Sequence, residues 1–275
     1  MSTIAALMKR SALAPVDARV LMRATLGVND AYLIAHADDE LSAQHAARFC
    51  ALAAQRAAGE PVAYLVGERE FYAHVFKVTR AVLIPRPETE LLVDLALQSL
   101  QPLQSKPSRV LDLGTGSGCI ALSIALARPG AQVTALDRSA AALAVARENA
   151  ARLNARNVGF QTSDWFEAVQ DQRYDMIVAN PPYVAVDDVH LTQGDLRFEP
   201  ASALAAGADG LADIRIIIDG ARAHLAPGGW LMFEHGYDQA LRCRERLSQA
   251  GFDDVQSWRD LAGIERVSGG RAPSL

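Results

Sequence analysis

At 275 residues the chain exceeds the usual domain of ~100–200 residues, so one large and one small unit are expected. Half of the residues are hydrophobic and 21% are charged, which excludes the disordered class, and Lys9 and Arg10 interrupt the one apolar stretch near the start, which excludes a membrane span of ~18 residues. The net charge of −5, with no basic run before Gln101, argues against direct nucleic-acid binding.

From Ile4 to Gly59, apolar residues recur at helical spacing and are cut into short helices by stop and start signals. Pro15-Val16-Asp17 opens one helix and Gly27 closes it; Asn29-Asp30 and Ser42 suit N-caps, and Gly59 with Pro61 ends the last. Residues 1–67 are therefore read as a small helical bundle. Phe71, Tyr72, Val75, Phe76, Val78, Val82 and Leu83 then give a strand-like pattern, read as a hairpin linker over residues 68–85. On this division a chain beginning near Leu83 suffices to bind a cofactor.

Residues 86–275 form the larger domain. Pro87, Glu88 and Glu90 suit the first turn of a helix reaching about Leu100, and a polar connector runs from Gln101 to Ser108. Strands are expected at Arg109–Leu113, Gln132–Asp137, Val158–Gln161, Tyr174–Ala179 and Trp230–His235, alternating with helices at Gly118–Ala127, Ser139–Asn154, Asp213–Leu225 and Gln239–Ala250. That alternation predicts an α/β fold with a parallel, doubly wound, Rossmann-like sheet. Asp253–Trp258 and Ile264–Val267 add an antiparallel hairpin at its edge.

Val110 to Gly118 is a buried strand running into Gly114-Thr115-Gly116-Ser117-Gly118, a turn that lets a ligand approach the backbone. Asp137, at the end of the next strand, is placed to accept from both ribose hydroxyls of a nucleoside. Asp112, ahead of the glycines, would repel a pyrophosphate but suit the ammonium and sulfonium of S-adenosyl-L-methionine, so that cofactor is expected. Asp164-Trp165-Phe166 offers a carboxylate and flat rings for the adenine.

Asn180-Pro181-Pro182-Tyr183 ends the fourth strand, where ligands of such sheets bind. Two prolines fix two φ angles and remove two donors, leaving outward carbonyls beside the Asn180 side chain. Two acceptors held together can take both N–H bonds of a planar NH2 group, with Tyr183 against its face, and aim a poorly nucleophilic amide nitrogen at a methyl group. Arg86 is a cation just ahead of a helix start, where it opposes the dipole and needs another role, on the substrate loop or on a partner.

The six histidines show no metal-ligand spacing and are read as core or solvated residues, and Cys50, Cys119 and Cys243 are odd in number with no C-x-x-C pair. No metal site or disulfide framework is expected, and a reducing cytoplasm fits.

Tyr64–Gly67, Ile84–Glu90, Asp112–Gly118, Asp164–Phe166, Asn180–Tyr183, Asp195–Pro200 and Glu234–Gly236 together resemble the protein-(glutamine-N5) methyltransferases called PrmC or HemK. The resemblance covers nearly the whole chain. It implies a class I methyltransferase domain behind a release-factor-binding helical domain. Asp137, Trp165, Asn180 and the glycine turn would bind the methyl donor, and Asn180 to Tyr183 would hold the glutamine of the Gly-Gly-Gln loop of class-1 peptide chain release factors. An adenine-N6 methyltransferase, a ribosomal-protein glutamine methyltransferase and a non-catalytic S-adenosylmethionine-binding protein are the rivals. The absence of a basic groove weighs against the first, Arg86–Glu90 against the second and the Asn-Pro-Pro-Tyr turn against the third.

Overall fold

The computed structural model describes residues 3–100 and 107–274 and divides into two compact units, 1–68 with 193–198, and 69–192 with 199–275. The polar connector expected from Gln101 lies, as far as residue 106, outside the described residues.

The first unit is helical: α1 (Ile4–Arg10), α2 (Pro15–Leu26), α3 (Asp30–Ala35), α4 (Ala43–Ala57) and α5 (Val62–Val66). Its punctuation is local chemistry. Pro15 stands at the first turn of α2, Gly27 ends it at φ +69°, and the side chains of Asn29 and Ser42 accept from the Tyr32 and His45 amides at the starts of α3 and α4. Leu21, Met22 and Phe49 are fully buried between the helices. Arg56 ties in the segment 193–198, donating to Asp17 at 2.7 Å and to Asp195 at 2.9 Å, while Arg197 donates to the Ala58 carbonyl at 2.6 Å.

The second unit opens with a hairpin, β1 (Glu68–Phe71, its first residue closing the helical unit) and β2 (His74–Lys77), followed by α6 (Glu90–Ser99), β3 (Arg109–Leu113), α7 (Cys119–Ala127), β4 (Gln132–Asp137), α8 (Ala140–Leu153), β5 (Val158–Thr162) and β6 (Tyr174–Ala179). It closes with α9 (Ala212–His224), β7 (Leu225–Glu234), α10 (Ala240–Gln249), β8 (Asp253–Arg259) and β9 (Glu265–Arg271). The large sheet runs β5-β4-β3-β6-β7-β9-β8, parallel through β7 and antiparallel at β9 and β8. Strand residues alternate between two cores: Val110, Met176, Val178 and Met232 pack towards α6 and α7, and Leu111, Ile177, Leu231 and Phe233 towards α9 and α10. The order reverses between β3 and β6, so the crevice of the sheet opens at the carboxyl ends of these two strands. No described helix is long and apolar enough to cross a membrane.

The hairpin is not the linker expected from the sequence. Phe71 and Phe76 are buried in the same core as α6 and α7, and Lys77 exchanges backbone hydrogen bonds with the buried Asn149 side chain of α8, at 2.7 and 3.0 Å. Removing two buried phenylalanines costs on the order of 3–5 kcal/mol each. A chain beginning at Arg69 is therefore expected to melt as a cooperative unit, and one beginning at Leu83 to melt well below it, as thermal unfolding followed by circular dichroism will show.

Candidate active site

The turn after β3 closes on itself and on the neighbouring strand. The Thr115 amide donates to the Leu136 carbonyl at 2.8 Å, and Gly114, Gly116 and Gly118 take φ of +70°, +55° and +84°, a region that disfavours any side chain. A Cβ on Gly116 would meet no protein atom within 4 Å, so there is open space over the turn. Gly118 differs: a Cβ there would press on Leu122 and on Ala146 at 3.0 and 3.2 Å, so this glycine serves the packing of α7 against α8. Asn149, a residue without a role in the sequence reading, donates to the Ser117 carbonyl at 2.9 Å and steadies the turn from below.

Over the turn lies a cavity of about 280 Å³. Gly114, Thr115, Gly116 and Ser117 line it with Asp137, Asp164, Trp165, Arg86, Asn180 and Pro182. Residues from the ends of β3, β4, β5 and β6 are thus brought to one place, as the strand order requires. Asp137 is held by two backbone amides, Gly116 at 2.9 Å and Ser139 at 2.8 Å, one on each carboxylate oxygen, and each oxygen keeps a further acceptor site. Trp165 adopts φ +46°, and Ser163 pins its loop by donating to the Trp165 carbonyl and accepting from the Ala168 amide, at 2.9 and 3.0 Å. The indole stands over Gly114, within 3.8 Å of where a Cβ would be. Phe166 turns the other way and stacks on His224 at 4.6 Å, so the pair of rings expected for the adenine reduces to one.

Asp112 does not face the cavity, contrary to the expectation from its place ahead of the glycines. Alternation along β3 puts it on the face of Val110, beneath α7 and away from the cavity wall, fully buried. There its carboxylate takes the Thr115 hydroxyl at 2.6 Å and the Ala121 amide, in the first turn of α7, at 3.2 Å. It braces the turn instead of facing a cationic ligand. Burial, the largest influence, pushes its carboxyl up to about 7, against the pull of these two hydrogen bonds. The fold thus favours the neutral acid, and that stability is full below the ordinary carboxyl value of 3.8 and lost as pH rises through about 7. Without ligand, Asp112→Asn removes the titration and keeps an acceptor. Its Tm is expected to gain ~5 °C or more on wild type between about pH 4 and about pH 8, measured by calorimetry.

Asn180 directly follows β6 and lines the cavity. Its Nδ2 donates to the Thr89 hydroxyl at 3.2 Å, Thr89 donates to Glu234 Oε2 at 2.6 Å, and the Tyr183 hydroxyl donates to Glu234 Oε1 at 3.0 Å. Glu234 is 1% exposed; desolvation raises its carboxyl above the ordinary range despite these two donors. Burial, followed by the nearby Glu234, raises the Tyr183 phenol as well. Neither Tyr183 nor Pro181 lines the cavity, and among the described residues no donor is spent on the Pro181 carbonyl. Arg86 pairs with the fully buried Glu199 carboxylate, which also takes the Ile84 amide at 3.0 Å. The cation ahead of the helix thereby neutralises a buried acid of the Asp195–Pro200 segment. Cys119 also lines the cavity, but burial pushes its thiol up to about 12, so it is no nucleophile.

The sequence pattern of the PrmC N-terminal domain matches residues 2–67, and that of the Methyltransferase small domain matches residues 89–207. A release factor glutamine methyltransferase of Burkholderia pseudomallei is 54% identical over 99% of this chain and 97% of its own length. One of Bordetella pertussis is 56% identical over 93% and 94%. The chain belongs to the release factor glutamine methyltransferase family. Among solved structures, a methyltransferase of Pyrococcus furiosus superposes with a TM-score of 0.54 at 20% identity, covering 73% of this chain and 89% of that one, a likeness of fold.

In this family member the cavity wall suits S-adenosyl-L-methionine. The space over Gly116 accepts a ligand at the backbone, Asp137 offers fixed acceptors for hydroxyls, and Trp165 offers an aromatic face. Carboxylates of Asp137, Asp164 and Asp213 line it beside Arg80, Arg86 and Arg138, of which Arg86 is paired with Glu199 and Arg138 donates to the Ser202 carbonyl at 3.1 Å. Burial raises the Asp213 carboxyl, an effect that Arg138 opposes and Asp164 increases. Arg80, Asp213, Thr89 and Glu234 had no assigned role in the sequence, although Thr89 and Glu234 fall inside two of its family motifs.

Proposed function

We propose that this chain methylates the side-chain N5 of the glutamine in the Gly-Gly-Gln loop of class-1 peptide chain release factors, in the cytoplasm and without direct nucleic-acid binding. The observation that carries this reading is the Asn180 carboxamide, fixed through Nδ2 with its Oδ1 left to accept, in the lining of a cavity suited to the methyl donor. When bound, S-adenosyl-L-methionine supplies a methyl group activated on a sulfonium. Asp137 would hold its ribose, Trp165 its adenine, and the turn Gly114–Ser117 its approach to the backbone.

The remaining work falls to acceptors. Asn180 Oδ1 and the Pro181 carbonyl would each take one N–H of the glutamine amide, so that the nitrogen is aimed and the positive charge growing on it meets two fixed dipoles. Pro181 and Pro182 keep those dipoles from reorganising. Tyr183, tied to Glu234, would bound the face of the amide with its ring. A methylated amide nitrogen is acidic enough to lose its extra proton to water, so no tuned base is needed.

Mass spectrometry of purified release factor after incubation with enzyme and methyl donor tests the proposal. A single added methyl on the Gly-Gly-Gln peptide is expected. Methylation of an adenine-containing oligonucleotide, with the release factor left unmodified, would refute it.

A further inference from the structure

We infer that Thr89 and Glu234 are positioning residues that decide which end of the Asn180 carboxamide faces the reacting amide. The inference rests on the acceptor role proposed for Asn180 and adds how that role is enforced. A primary carboxamide can turn over and exchange its oxygen for its NH2, and an Asn180 turned that way would present a donor where an acceptor is needed.

The hydrogen bonds forbid the exchange by counting. Glu234 is buried, and its two oxygens accept from Thr89 at 2.6 Å and from Tyr183 at 3.0 Å. With Glu234 ionised, as the Thr89 and Tyr183 donors and the nearby Arg266 favour against burial, its oxygens can only accept, so the single hydrogen of the Thr89 hydroxyl is committed to Glu234 and the Thr89 oxygen can only accept. The group facing it, Asn180, must then offer Nδ2, as it does at 3.2 Å, and Oδ1 is driven to the other side. An inverted carboxamide would set two acceptors against each other in a partly buried place, where an unpaired polar group is costly. The chain of donors runs one way, from Asn180 through Thr89 to Glu234, and it ends on an acid because a carboxylate takes hydrogen bonds from both sides. Tyr183 ends on the same acid, so one buried side chain sets both flanks of the Asn-Pro-Pro-Tyr turn.

Thr89→Val is nearly isosteric and removes only the hydroxyl. It is expected to lower kcat ~10-fold or more at saturating donor and release factor, with donor affinity from calorimetry within ~2-fold of wild type. Thr89→Ser keeps a hydroxyl and should recover most of that loss. Glu234→Leu should reproduce the Thr89→Val loss, and Glu234→Gln, which still offers one acceptor, should lose less. A double-mutant cycle separates orientation from mere packing. In an Asn180→Ala background there is no carboxamide to orient, so adding Thr89→Val should change single-turnover rates by less than ~2-fold. An equal fold loss in both backgrounds, or a wild-type kcat in Thr89→Val, overturns the inference; if Thr89→Val does not fold, Thr89→Ala takes its place in the cycle. Asn180→Ala losing activity while Thr89→Val keeps it overturns this inference alone, whereas full activity in both removes the acceptor role as well.

Discussion

Asn180→Ala is expected to slow methylation of the Gly-Gly-Gln glutamine by on the order of 10²–10³ at saturating donor, the loss seen when one preorganised transition-state dipole is removed. The truncation leaves one N–H of the substrate amide unheld, so the nitrogen is no longer aimed, and it removes a dipole that opposes the charge developing there. It also frees Thr89 from its donor at 3.2 Å, a small disturbance because the Thr89 hydrogen bond to Glu234 remains. The donor cavity keeps Asp137, Trp165 and the glycine turn, so the affinity for S-adenosyl-L-methionine should fall far less than the rate. Asn180→Asp is the sharper variant. It keeps an acceptor towards the substrate but sets a second oxygen against the Thr89 oxygen, so its rate should lie between those of Ala and wild type. Rates are to be measured by single-turnover mass spectrometry of the release factor, and a wild-type rate for Asn180→Ala would refute the mechanism.

The parts of this site that lie close together in the chain could be read from the sequence, and those assembled across it could not. The Gly114–Gly118 turn and Asn180–Tyr183 are each local, and strands alternating with helices are enough to bring their strand ends to one crevice. The edge hairpin of β8 and β9 could be anticipated as well, although β9 runs on past Val267, where the expected strand ended, through Ser268-Gly269-Gly270. Those glycines are there for packing: a Cβ on Gly269 would lie 2.5 Å from the Leu231 carbonyl, and one on Gly270 2.8 Å from Phe252. Asp112 misled because its place next to the turn says nothing of the face it occupies, and one step of strand alternation moves a carboxylate from the cavity to the layer under α7. Arg86 with Glu199, and Thr89 with Glu234, are 113 and 145 residues apart. Only the folded sheet reveals that each odd charge or buried acid has its partner.

The second large effect is expected at Asp137. Its carboxylate carries two duties: it receives the Gly116 and Ser139 amides at 2.9 and 2.8 Å, and it faces the cavity with acceptor capacity to spare. Asp137→Ala therefore removes a charged acceptor from the ligand and also a support from the turn that cradles it. A charged hydrogen bond lost in a closed site costs roughly 1–3 kcal/mol, or about 5- to 150-fold in affinity, and loosening of Gly116 adds to that. Asp137→Asn distinguishes the two duties. Its oxygen can still take one backbone amide, but its NH2 must face either the other amide or the ligand, so a donor is misplaced in both orientations. Donor affinity should fall nearly as far as in Asp137→Ala. The effect should appear in the dissociation constant for S-adenosyl-L-methionine measured by calorimetry, with kcat at saturating donor changed much less than in Asn180→Ala, since Asp137 lies at the end of β4 and not at the Asn-Pro-Pro-Tyr turn. Unchanged affinity in Asp137→Ala would refute the ribose contact, and with it the reason for a carboxylate at the end of β4.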